Sequence, residues 1–338
     1  MTQSTDDGAR SGNLGPTGGE LMLLDTASLY FRAFFGVPDS IRAPDGTPVN
    51  AVRGLLDMIA TLVADRRPTR LVACWDVDWR PAFRVEAIPS YKEHRVAEKV
   101  PGSTGVEEVP EKLVAQVPVI VDVLAALGIT RVGAAGYEAD DVIGTLTARE
   151  VARRAAAGQG PDPSGRAAVE VVTGDRDLFQ LVDDAAGVRV LYPTKGVKNL
   201  DVVDQARLAE RYGVPSGAAY ADMAVLRGDP SDGLPGVPGI GEKTAAALLA
   251  RYGSLARVLA ARDEGDPGLT ATQRRRLTEA AGYLEVAPLV VQVARDAPVG
   301  EVRDALPAGP ADPDALADLA ERWNLGSSVQ RLLDALRG

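Results

Sequence analysis

Three short apolar runs constrain this chain most: Leu21 to Leu24, Leu71 to Trp75 and Val169 to Thr173. Each ends on an aspartate or a Gly-Asp pair (Asp25, Asp76, Gly174-Asp175). Between them lie helix-length patterns, one near Val49 to Asp65 and one near Glu111 to Leu127. β-rich runs alternating with helices predict an α/β fold on a mostly parallel sheet flanked by helices. Ligands of such sheets bind at the carboxyl ends of the strands, so Asp25, Asp76 and Asp175 are expected at one rim. Carboxylates gathered at one rim repel each other, and the chemistry of the chain has to answer that repulsion.

Further acidic groups belong to the same account. Gly136-Tyr137-Glu138-Ala139-Asp140-Asp141 places three acids at the start of a helix, where acids also serve simply to complement the helix dipole. Asp177 follows Asp175 at a spacing that puts both carboxylates on one side of an extended chain. Gly228-Asp229-Pro230-Ser231-Asp232 adds two more in a turn. Clustered carboxylates are strongly destabilising unless cations neutralise them. With one histidine, His94, and one cysteine, Cys74, in the chain, a Cys/His zinc site is excluded and oxygen must supply the donors. Hard oxygen donors favour Mg²⁺ or Mn²⁺, two or more of which would suit hydrolysis of a phosphodiester. We read Cys74 as a small buried hydrophobe and His94 as incidental.

The organisation is expected as follows. Residues 1–19 form a disordered tail, with no basic start and apolar stretch of a secretory signal. Residues 20–215 form the α/β domain and 216–300 a helical lobe, while 301–338 pack back on the core through Leu316, Leu319, Ala320 and Trp323. Apolar runs are far too short to span a bilayer, so a cytoplasmic protein without a membrane partner is expected, and nothing suggests more than a monomer. A formal charge of −10, from 37 basic and 47 acidic residues, argues by itself against a nucleic-acid partner. Locally the balance differs. The stretch of about 79–110 is broken by Pro81, Pro89 and Pro101 and carries Arg80, Arg84, Lys92, Arg95 and Lys99 against Glu86, Glu93 and Glu98.

Gly236-Val237-Pro238-Gly239-Ile240-Gly241-Glu242-Lys243-Thr244 superficially resembles a nucleotide-binding loop. That motif needs lysine directly after its last glycine, and Glu242 intervenes. A hairpin between two helices fits better: Gly239 and Gly241 let the backbone approach a duplex phosphate, and the following helix, with Lys243 and Thr244, offers N–H groups. Lys243, Arg251 and Arg257 make that lobe locally basic. Recognition should follow shape rather than base sequence.

Together these segments resemble a family, the bacterial 5′ nucleases, which include the N-terminal domain of DNA polymerase I and are related to flap endonucleases. The resemblance rests on LLDTASLYFRAFF (Leu23 to Phe35), the FR…YKEHR stretch (Phe83 to Arg95), GYEADDVIGTL (Gly136 to Leu146), VVTGDRDLFQLV (Val171 to Val182) and GDPSDGLPGVPGIGEKTAAALL (Gly228 to Leu249). It implies a PIN-like sheet, a helical arch at about 79–110 and a helix-hairpin-helix lobe. One metal is then expected near Asp25, Asp76, Glu138 and Asp140, and another near Asp141, Asp175, Asp177 and Asp232, with Asp229 acting through water. The resemblance makes Lys92 and Arg95 catalytic, reaching the scissile phosphate, with Arg84 beside them, while Tyr91 would stack on a base. A monovalent cation, K⁺, is expected at the hairpin turn. The implied activity is that of a 5′ to 3′ exonuclease and flap endonuclease. It would act on DNA with 5′ flaps, nicks or ends and on RNA primers, and hand over to a separate polymerase and ligase. An RNA-directed nuclease and a junction-binding protein without catalysis are the alternatives; the second predicts missing carboxylates, and none is missing. After Asp232 the family usually has Asn, where this chain has Gly233.

Overall fold

The computed structural model describes residues 19–98 and 104–338. The expected tail falls outside them except for Gly19, which is buried, as do Lys99, Pro101 and Gly102 of the expected arch. β1 (Leu21–Asp25) runs straight into α1 (Thr26–Gly36), and α2 (Asn50–Arg66) precedes β2 (Arg70–Cys74). Then come α3 (Ala82–Ala87), the hairpin of β3 (Val96–Glu98) and β4 (Val106–Glu107), α4 (Glu111–Val114), α5 (Val117–Leu127) and β5 (Thr130–Val132). α6 (Ala139–Ala156), β6 (Val169–Val172), β7 (Val188–Pro193) and β8 (Leu200–Val203) follow. The sheet runs β5-β2-β1-β6-β7-β8, parallel throughout except for β8 against β7.

The strands are apolar on both faces because both faces are covered. Leu21, Leu23, Val72, Cys74, Val169 and Val171 pack with Val142, Ile143 and Leu146 of α6. Their neighbours in the pleat, Met22, Leu24, Leu71, Ala73 and Val172, pack on the opposite side with α2 and α5. Glu170, at the foot of β6, is a charged residue set among them. It is fully buried and held by Arg66 and by Arg189 at 3.0 Å.

Two expectations change in detail. The helix near Glu111 to Leu127 is two helices, since Pro118, within the first turn of α5, has no N–H to continue the ladder from α4. Gln116 at the break faces Asn50, and its Oε1 accepts from Ala51 N at 2.8 Å, capping α2. The expected arch is helical over Ala82–Ala87 and in one 3₁₀ turn, Glu93–Arg95, with the β3–β4 hairpin beyond. Pro81, Pro89 and a left-handed Lys92 stop any longer helix there.

α7 (Gln205–Tyr212) closes the α/β domain, and the helical lobe contains α8 (Gly217–Arg227), α9 (Glu242–Tyr252), α10 (Leu255–Asp263), α11 (Ala271–Glu279) and α12 (Ala281–Val291). The chain then returns along the sheet, with Leu71 N donating to Asp304 O and Leu306 N to Thr69 O. α13 (Pro313–Arg322) and α14 (Gly326–Arg337) bring Leu316, Leu332 and Leu336 into the core shared with α2 and α5. Among the described residues, no helix is long and apolar enough to cross a membrane.

Leu332 is fully buried. Leu332→Ala should lower unfolding stability by about 2–5 kcal/mol, measured by urea denaturation. A change under about 0.5 kcal/mol would mean that α14 is not part of the cooperative core.

Candidate active site

The acids are delivered by strand ends and helix starts. Asp25 ends β1 and also caps α1, accepting from Ser28 N at 3.1 Å. Thr173, just past β6, donates its hydroxyl to Asp25 Oδ2 at 2.6 Å and accepts from Asp175 N at 2.8 Å. Asp175 Oδ1 in turn accepts from Asp177 N at 2.9 Å. Asp76, after β2, accepts from Ala139 N at 2.8 Å, which joins it to the first turn of α6. Asp25, Asp76, Glu138, Asp140, Asp175, Asp177 and Asp229 thereby line one cleft of about 970 Å³. Asp232 stands behind its rim, paired with Arg95 at 2.7 Å.

The cleft is electrostatically expensive. Asp25 is pushed up to about 7, mainly by burial and further by Asp76 and Asp175, although the Thr173 hydroxyl pulls the other way. Burial also raises Asp140 well above the usual carboxylate range, reinforced by Asp25, Asp175 and Glu138. Asp177 is raised likewise by burial, then by Asp175, Asp232 and Asp229. Asp76 and Asp232 are raised by burial too, against the Ala139 N–H in one case and against Lys92 and Arg95 in the other. Among the described residues, no three metal-binding side chains already converge on one point. The donor set nevertheless fits hard divalent cations, because it is all carboxylate and mutually repelling, and cations would relieve that repulsion.

Three expected site residues face elsewhere. Arg84 is 2% exposed, too deep to touch a phosphate. Its guanidinium binds Glu138 at 2.6 Å and Asp141 through two hydrogen bonds of 2.7 Å. Asp141 is fully buried and lies outside the cleft lining. Besides Arg84 it accepts from Glu138 N at 3.1 Å and Ala294 N at 2.8 Å, which leaves its carboxylate engaged with the helix start and not with a metal. Tyr91 is 4% exposed and donates its hydroxyl to Glu138 Oε2 at 2.7 Å, so its ring cannot stack on a base.

Lys92 and Arg95 do line the cleft. Lys92 Nζ pairs with Glu138; burial works to lower the ammonium, but Glu138, Tyr91 and Asp232 together lift it well above its usual range. Its left-handed backbone, φ 49°, is fixed by its N–H donating to Asp232 O at 3.0 Å. Gly233 explains the departure from the family. A Cβ there would lie 2.0 Å from Ser90 O, and φ is +73°. Without a side chain, the base of the arch settles on the turn that carries Asp232, and Ser90 Oγ donates to Gly233 O at 2.8 Å.

The last turn of α12 and the strap that follows it join the lobe to the acidic elements. Arg84 donates to Val290 O at 3.0 Å, and Gln180 donates to Val291 O at 3.0 Å and Asp177 O at 2.9 Å. Gln180 also accepts from Val293 N at 3.0 Å. Farther out, Gly241 caps α9 without a side-chain hydrogen bond, and Lys243 is exposed beside the half-buried Thr244. Gly239 has φ +77°, and its carbonyl accepts from Arg276 at 2.9 Å.

Sequence reasoning passed over Arg32 and Phe35. Both line the cleft, with Phe35 74% exposed and Arg32 Nε buried without a hydrogen-bond partner. Helical spacing carried the signal, since Ser28, Arg32 and Phe35 fall on the face of α1 that begins at Asp25. Glu107 of β4 also lines the cleft, and neither its strand nor its place was foreseen.

Two family models match: the 5′-3′ exonuclease N-terminal resolvase-like domain over residues 20–213, and the 5′-3′ exonuclease C-terminal SAM fold over 216–314. A 5′-3′ exonuclease of Streptomyces coelicolor is 66% identical over 315 residues, 93% of this chain and 99% of that protein. One from Mycobacterium tuberculosis is 53% identical, covering 94% and 97%. Among solved structures, the bacteriophage T5 flap endonuclease in a pseudo-enzyme-product complex with DNA and metal ions shares the fold, with TM-score 0.59, 17% identity and coverage of 94% and 99%.

Asp25 sets a pH test. Its folded value of about 7 exceeds the unfolded value near 3.8, so it favours folding fully below 3.8 and loses that contribution as pH rises through 7. In EDTA, Asp25→Asn should therefore raise the melting temperature at pH 8 by several degrees and change it little at pH 4. Calorimetry showing a lower value at pH 8 would mean that the charged form is favoured in the fold.

Proposed function

The chain belongs to the 5′-3′ exonuclease family, and on that basis we propose that it hydrolyses DNA phosphodiesters near junctions of a 5′ single strand with duplex, as exonuclease and flap endonuclease. The observation that carries this reading is the cleft at the strand ends, where carboxylates of β1, β2, α6 and β6 face Arg32, Lys92 and Arg95. Asp25, Asp76, Glu138 and Asp140 would hold one divalent ion. Asp175, Asp177 and Asp232, with Asp229 at the edge, would hold another. Mg²⁺ or Mn²⁺ suits these donors and supplies charge neutralisation and an acidified water. Asp141 is left out of this set.

The remaining steps belong to the chain's own side chains. Arg32, Lys92 and Arg95 bind the oxygens of the reacting phosphate and oppose the charge that grows on them. For Lys92 and Arg95 this means exchanging Glu138 and Asp232 for phosphate. Arg84 and Tyr91 act through Glu138, holding its carboxylate in place. Phe35 offers a face on which an unpaired base can stack. The turn at Gly239 and Gly241, with Lys243 and Thr244, takes the duplex backbone, where K⁺ is the monovalent ion assigned to it.

On this reading most of the cleft and the arch belong to 20–215, with Asp229 and Asp232 contributed from 216–300, the duplex grip to 216–300, and a brace to 301–338. RNA primers on DNA are included among the substrates. The product would pass to a separate polymerase and ligase in the cytoplasm, and a monomer suffices for every role named.

The test uses 5′-labelled flap, nicked duplex and single-stranded RNA with Mg²⁺, Mn²⁺ or EDTA. Flap cleavage with either metal and none in EDTA is expected; cleavage persisting in EDTA would remove the ions, and preference for the RNA would replace the substrate. Asp175→Asn should cut turnover by about 100-fold or more while flap binding in Ca²⁺ persists, and unchanged turnover would take Asp175 out of the site. Lys92→Ala should slow the single-turnover rate by roughly 100-fold. A loss of affinity alone would limit Lys92 to positioning the DNA.

A further inference from the structure

We propose that Arg276, on α11, is a duplex-binding residue that presents its charge to a backbone phosphate from the hairpin turn before α9. The inference rests on the reading of that turn as the duplex grip, and adds a residue from a different helix to it.

The guanidinium is docked on the turn. Its Nη1 donates to Gly239 O at 2.9 Å. A Cβ on Gly239 would stand 2.2 Å from Nη1 and 2.4 Å from Cζ, so the planar group lies against a bare Cα. Glycine is required at 239 by its φ of +77°, and a side chain there would also displace the guanidinium from this seat. One hydrogen bond orients the fork while most of its five N–H donors stay available.

Its charge has not been used inside the protein. Among the described residues, Arg276 has no carboxylate within ion-pair distance; Arg275 pairs with Glu279 at 3.1 Å and Arg262 with Asp263 at 2.7 Å, while Arg274 is taken up by the carbonyls of Asp266 and Leu269. Arg276 is half-buried, so the side chain is held in place but still reaches solvent. The one acid in the turn, Glu242, is drawn away by Arg227 at 3.0 Å. A phosphate at the turn would therefore meet a fixed guanidinium with its repelling carboxylate already compensated. Such a contact sets register and affinity but reads no base.

The competing role is that of a prop for the turn, and substitutions separate the two. Arg276→Gln keeps an N–H donor for Gly239 O and removes the charge; Arg276→Ala removes both. Binding of a fluorescent 5′-flap duplex in Ca²⁺ is followed by anisotropy across a salt series, with melting temperatures taken in parallel. Both variants are expected to bind about five- to tenfold more weakly, and the slope of log affinity against log salt should fall by about 1. If Arg276→Gln binds like the parent with the same salt slope, Arg276 is a prop and the proposal is overturned, whatever Arg276→Ala does. Failure of the parent chain itself to bind the flap duplex would instead overturn the underlying reading of the hairpin.

Discussion

Repulsion between carboxylates at the edge of a buried parallel sheet is the constraint around which the rest of this protein is arranged. Strands apolar on both faces must end somewhere, and here β1, β2 and β6 end side by side on acids that crowd one cleft, Asp25 buried, Asp76 half-buried and Asp175 exposed. Several of them hold protons far more tightly than free carboxylates do, Asp25 up to about 7. The hydrophobic packing of α2, α5 and α14 on one face and α6 on the other has to sustain that unfavourable edge. Stability given up at the rim is what makes the rim attractive to cations.

The chain meets part of this demand itself. Lys92 and Arg95 lie on Glu138 and Asp232, and Arg84 lies between Glu138 and Asp141. These pairings are unequal in kind. Arg84 is enclosed, and removing one partner of a buried pair costs several kcal/mol because the other is stranded. Lys92 and Arg95 border the open cleft, so exchange of their partners for phosphate is inexpensive by comparison. The burial of each cation separates the enclosed Arg84 from Lys92 and Arg95 at the cleft.

Much of this was legible in the sequence, for physical reasons that differ from residue to residue. Continuous apolar runs announce a doubly covered strand, and an aspartate at the end of each locates the cleft. Asp140 and Asp141 show where such reasoning stops. They are adjacent at a helix start, and nothing local says which one faces the cleft; Arg84, arriving from far upstream, decides it by claiming Asp141. Tyr91 was misread for the same reason, since its partner Glu138 is remote in sequence. Arg32 was readable from helical phase alone. The break between α4 and α5 was written in Pro118.

The strap from Val290 to Ala294 has a consequence for how such a protein can change over time. Its carbonyls and N–H groups are shared out among Arg84, Gln180 and Asp141, all of which touch or neighbour the acidic edge. Lobe and sheet are thus sewn together by main chain, not joined by a tether. A recombination that grafted a foreign duplex grip after residue 215 would leave Asp141 and Gln180 without their donors and acceptors. Inheritance of the two parts as one piece is the expected outcome.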